Sequence, residues 1–83
     1  MMSALELYAK IANEAKGMFH IGAIRNLRMY INTTKQDQLR LEIERITDTD
    51  LLRTLIEAGL NAYLQKIVTH RYDEIQKSKA GGM

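Results

Sequence analysis

The sequence predicts an all-α fold, a compact bundle of four to five short helices that ends in an antiparallel αα-hairpin. Three observations carry that expectation. Apolar residues recur at spacings of three and four along most of the 83-residue chain. Candidate helix caps (Ser3, Thr33, Thr34, Thr47, Asn61) stand in front of those runs. There is no proline anywhere, so no residue removes a backbone donor from a helix interior.

Taken in order, Ser3 with Glu6 three residues on reads as a capping box for a first helix over 4–16. Leu5, Tyr8, Ile11, Ala12 and Ala15 share one face of it, expected to be core. Gly17 and Gly22 bracket Met18-Phe19-His20-Ile21, and either glycine suits the end of that helix. The four residues read as an apolar plug, with Phe19, the only Phe, as core anchor and His20 as a hydrogen-bonded structural histidine. A second helix over 23–32 has Ile24, Leu27 and Ile31 on its stripe, and Thr33-x-x-Gln36 and Thr34-x-x-Asp37 resemble capping boxes for the next.

Residues 38–46, QLRLEIERI, carry two patterns. Leu39, Ile43 and Ile46 make a helical stripe with Leu41 off it, so that a helix here must pack on two sides. Leu39, Leu41 and Ile43 also alternate with charged residues, and an α+β fold with a β-hairpin at about 27–46 is the alternative. Helix is favoured because Leu, Arg and Glu are good helix formers and the intervening NTTKQD lacks hairpin turn residues.

The densest pattern runs over 47–72. Thr47-x-x-Asp50 opens a helix, with Asp48 and Asp50 at the positive end of its dipole. Leu51, Leu52, Leu55 and Ile56 form its apolar face, and Arg53, Thr54 and Glu57 point out. Gly59 ends it, Leu60 gives the apolar contact after the turn, and Asn61 caps the last helix, over 62–77. There Leu64, Val68 and Ile75 cluster, flanked by Ile67 and Tyr72, while Lys66, His70, Asp73 and Lys77 lie opposite. Arg71 falls on the apolar side, where Asp48 or Asp50 is the expected partner. Residues 78–83, SKAGGM, are expected to be a flexible tail, leaving 1–77 as one helical domain.

AIRNLRMYINT, QLRLEIERITD and LQKIVTHRYDE place basic residues alike and end in an apolar residue and a turn. Arg45-Ile46-Thr47-Asp48, followed by Leu51-Leu52 and another helix, resembles the helical-hairpin unit of HEAT-like repeats over residues 38–77. The similar segments recur at unequal spacing. That resemblance implies α-solenoid-like packing and a protein-binding role, with no catalytic residues to carry over.

Composition narrows the function classes. The chain has no cysteine, which removes disulfides and thiolate metal sites and fits a reducing cytoplasm. The sequence pI of about 9.0 rests on a net charge of only +2, which is no polyanion-binding composition by itself. The uncharged run 17–24 falls far short of the ~20 apolar residues a spanning helix needs. No secretory signal pattern is present either, so the expectation is a cytoplasmic protein without a membrane partner.

Constellations for chemistry are sparse. His70, Asp73 and Glu74 stand at i, i+3 and i+4, a spacing for metal ligands that a solvated helix face also produces. No nucleophile–His–acid set and no phosphate loop is suggested, so neither an enzyme nor a cofactor is expected. A helix-turn-helix would read DNA with Asn61, Tyr63, Lys66, His70 and Arg71, but it wants a small residue at 55 and an apolar one at 65. The chain has Leu55 and Gln65. The expectation is therefore a non-catalytic helical protein–protein interaction module or adaptor, self-association included. A small nucleic-acid-binding regulator using the 62–77 helix is the alternative. The candidate partner-binding residues are Tyr63, Lys66, His70, Arg71, Leu41 and Met29.

Overall fold

In the computed structural model, which describes residues 2–81, Ser3 opens the first helix as its spacing predicts. Its Oγ accepts from the Glu6 amide at 3.2 Å, starting α1 over Ala4–Glu14. The chain then forms α2 (Met18–Thr33), α3 (Gln36–Arg45), α4 (Thr49–Ala58) and α5 (Ala62–Gly81). Residues 27–45 lie within α2, α3 and their short link, and Ile46 ends α3, so the β-hairpin alternative is not what forms. No strand occurs among the described residues.

Side-chain contacts define the topology. Tyr8 stacks on Tyr30 at 5.1 Å between ring centroids, and His20 reaches the Ala12 carbonyl. Numbers thus rise along α1 as they fall along α2, an antiparallel pair. Arg53 bonds the Tyr72 hydroxyl at 2.8 Å across the turn at Gly59, so α4 and α5 form the expected antiparallel hairpin. Contacts of Arg40 with Tyr63 and of Arg71 with Ile46 set α3 alongside α5 in the same direction. Leu5, Leu27, Leu39, Ile43, Leu52 and Leu55 meet in one core. The radius of gyration is 12.6 Å, against about 12 Å for a compact chain of this length.

Helix ends are tied by side chains from elsewhere in the chain. Helices leave amides and carbonyls unpaired at their ends, and burying such groups without partners is costly. Glu42 of α3, itself buried, accepts from the Leu5 amide in the first turn of α1 at 3.4 Å and from the Tyr30 hydroxyl at 3.0 Å. Arg28 donates to the Ala58 carbonyl at the end of α4 (2.7 Å), and Arg71 donates to the Ile46 carbonyl at the end of α3 (2.9 Å). Asp48 caps α4 by accepting from the Asp50 amide, and Asn61 caps α5 by accepting from the Leu64 amide, both at 2.9 Å.

Several local expectations change. Gly17, at φ 60, makes the break after α1, whereas Gly22 lies inside α2. The buried face of α1 is Leu5, Ala9 and Ala12; Tyr8 and Ile11 turn outward because α3 and α4 take the other side. Met18, Phe19 and Ile21 are exposed, not core. The stripe Ile24–Leu27–Ile31, carried back four residues, reaches His20 instead. Thr33 and Thr34 do not cap α3. Their hydroxyls donate back to the Met29 and Tyr30 carbonyls at 2.8 and 2.6 Å, finishing α2. Leu41 is exposed, so α3 packs on one side only. In α4, Thr54 is buried and Ile56 exposed; the Thr54 hydroxyl donates to the Asp50 carbonyl at 2.9 Å. Finally, α5 continues through Gly81, so residues 78–81 of the expected tail are helical, and 82–83 lie outside the described residues.

Candidate functional site

Tyr63, Lys66, His70 and Arg71 line one groove between α3 and α5, of about 460 Å³, with Arg40, Glu44 and Glu74. Spacing explains the grouping. Tyr63, Lys66 and His70 follow each other at three and four along α5, and the parallel α3 brings Arg40 and Glu44 opposite. Arg40 bonds Glu44 at 3.2 Å and reaches the Tyr63 hydroxyl at 3.4 Å. Both contacts, Tyr63 first, favour its charged form. His70 stands 3.8 Å from Glu74 and Arg71 stands 3.9 Å from the same carboxylate. The groove is thus a mixed-charge surface in which Arg40 and Arg71 each have a carboxylate within 4 Å.

Arg71 does not pair with Asp48 or Asp50. Its half-buried stem packs against α3 while its guanidinium takes the Ile46 carbonyl. Helical spacing puts the residue on the packed side, as found, but its partner is a backbone group that no side-chain pattern reveals.

The other two candidates stand apart. Leu41 lies beyond the Arg40–Glu44 pair, against Asp37. Met29 lies on the opposite side of the sequence order, on α2, in a shallow hollow with Tyr8, Asn26 and Thr33. The structure therefore gathers four of the six residues and leaves Leu41 and Met29 on separate surfaces. His70, Asp73 and Glu74 form no metal-holding group among the described residues.

A stronger feature was not among the sequence candidates. Met18 is 86% exposed and Phe19 83% exposed at the start of α2. Helical spacing places Phe19, Gly22, Asn26 and Met29 on the flank of α2 that meets α1, with Met18 beside them. On α1 Tyr8 adjoins this flank, and Leu7 and Ile11 of the same helix are also exposed. The signal was present. Once α2 is extended through Gly22, Met18 and Phe19 fall off its buried stripe.

Ionisable groups with altered proton affinity tie helices together. His20 sits between α1 and α4, its Nδ1 2.8 Å from the Ala12 carbonyl and its Nε2 2.5 Å from Glu57 Oε2. With acceptors at both ring nitrogens, its pKa is raised, by Glu57 first and Ala12 next. Burial and then Glu42 raise the Tyr30 hydroxyl, while Arg53 lowers that of Tyr72.

Comparison with known proteins finds no matching family model, curated relative or solved structure. No helix among the described residues is long and apolar enough to cross a membrane.

Proposed function

We propose that this chain is a non-catalytic helical protein–protein interaction module. The observation that carries this reading is the exposure of Met18 and Phe19 on α2, the helix whose exposed Met29 shares a hollow with Tyr8 of α1. A small domain has few large apolar residues, and leaving its only Phe in water loses burial worth on the order of 2 kcal/mol. Contiguous apolar surface of that kind is characteristic of protein contact sites. The non-catalytic part of the reading is supported by the engagement of His20, Tyr30 and Tyr72 in bonds between or within helices. The absence of cysteine supports a place in the cytoplasm. The HEAT-like resemblance over 38–77 agrees with a binding role.

Affinity capture from native lysate, read for protein and nucleic acid together, tests the reading. Protein should be retained, survive nuclease, and be lost with Phe19→Glu. Capture of nuclease-sensitive material alone, lost with Lys66→Glu, would overturn it in favour of a regulator that uses the 62–77 helix.

A further inference from the structure

The α1/α2 face also indicates what covers it. Leu7, Tyr8 and Ile11 of α1 and Met18, Phe19 and Met29 of α2 are each exposed. A large apolar side chain offers roughly 200 Å² when free, so at these exposures the six leave on the order of 700 Å² uncovered. Lone monomers rarely leave more than about 300–600 Å² in one apolar patch. A standard interface takes about 800 Å² from each partner, so one such face, with its polar rim, is the right size for half of a dimer contact.

One feature makes the face complementary to itself. Gly22 lies at its centre, three residues after Phe19 and four after Met18, and a Cβ there would meet no other described residue within 4 Å. The fold does not need the missing side chain, so the notch is available to a side chain from outside. A two-fold axis passing between Phe19 and Gly22 sets Phe19 of each copy toward Gly22 of the other. An isologous interface requires that kind of self-matching.

Resting on the interaction reading above, we infer that the partner is a second copy of this chain, docked through the α1/α2 face as a two-fold dimer with Phe19 against the Gly22 notch. Residues of the α3/α5 groove stay outside the contact.

Sedimentation of the full chain over a range of concentrations, with circular dichroism as the folding control, tests this. The wild type should approach twice its 9.5 kDa mass. Phe19→Glu and Gly22→Glu should each retain helicity and weaken association at least tenfold, and Lys66→Glu should leave it unchanged. A wild type that stays monomeric, or a dimer indifferent to Phe19→Glu, overturns the inference. If the chain is monomeric yet still captures another protein through Phe19, the second-copy partner fails while the interaction reading stands. If neither is seen, both fail.

Discussion

His20 and Glu42 show how single polar residues organise this fold. Both link helices far apart in sequence. Glu42 brings a carboxylate to the N-terminal turn of α1 and takes the Tyr30 hydroxyl as a second donor, so its burial is compensated by hydrogen bonds and by the helix dipole. His20 offers a donor to the Ala12 carbonyl and another to Glu57. That arrangement favours the doubly protonated ring and raises its pKa above the ordinary 6.5. A group whose pKa is raised on folding contributes its full stabilisation below the unfolded value, and that contribution is lost as pH rises through the folded value. Urea unfolding should therefore show stability declining as pH rises above about 6.5. Glu57→Gln should flatten the decline, whereas a slope unchanged by that substitution would remove His20 as its source.

At the scale of the element, the two glycines around the plug do opposite things. Gly17 takes φ 60 and ψ −132 to turn the chain from α1 into α2, a conformation that L residues reach only with strain of about 1–3 kcal/mol. Gly22 is an ordinary helical residue with open space around it, and a helix-interior glycine is less favourable than alanine by about 1 kcal/mol. Gly17→Ala should accordingly lower stability by roughly 1–3 kcal/mol and Gly22→Ala should raise it by up to about 1 kcal/mol. Denaturant midpoints at low protein concentration would check the pair. Equal effects of one sign would mean that the glycines had been assigned the wrong way round.

Local chemistry was legible where the capping partner was close in sequence. Ser3 with Glu6 and Asn61 with Leu64 are pairs three residues apart, and both start helices as expected. The side-chain partners of the C-terminal carbonyls were not legible, because Arg28 and Arg71 come from 30 and 25 residues away. Thr33 and Thr34 illustrate the competition that defeats a purely local reading. A threonine hydroxyl serves the helix before it as readily as the helix after it, and here both serve α2.

For the whole molecule, the core is small and every large member counts. Leu52 is fully buried where the hairpin packs on the other helices. Removing such a side chain typically costs about 2–5 kcal/mol, out of a total on the order of 4–12 kcal/mol for a chain of this length. Leu52→Ala should therefore bring the thermal midpoint down sharply and leave a detectable unfolded population at room temperature. Leu41→Ala, at an exposed position, should do neither, and calorimetry would separate the two.

The α3/α5 groove and the α1/α2 face differ in how readable they were. Tyr63, Lys66 and His70 share a helix flank by spacing alone, and the structure adds Arg71 beside them with Arg40 and Glu44 across from them. The α1/α2 face required knowing which side of each helix the bundle covers. Phe19 and Ile11 have the chemistry of core residues, and their exposure follows only from how far α2 extends and which side of α1 is covered.

The sequence by itself determined that the chain is helical, where two of its helices begin, and that α4 and α5 fold back on each other. Spacing of apolar residues, short-range caps and the glycine at 59 act within a few residues, so those features are local. Tertiary structure alone decided which face of α1 is buried, which helix ends Glu42, Arg28 and Arg71 complete, and that Met18 and Phe19 stand in solvent. Those outcomes depend on where other helices lie, because burial and long-range hydrogen bonding are properties of packed pairs rather than of a residue and its neighbours in the chain.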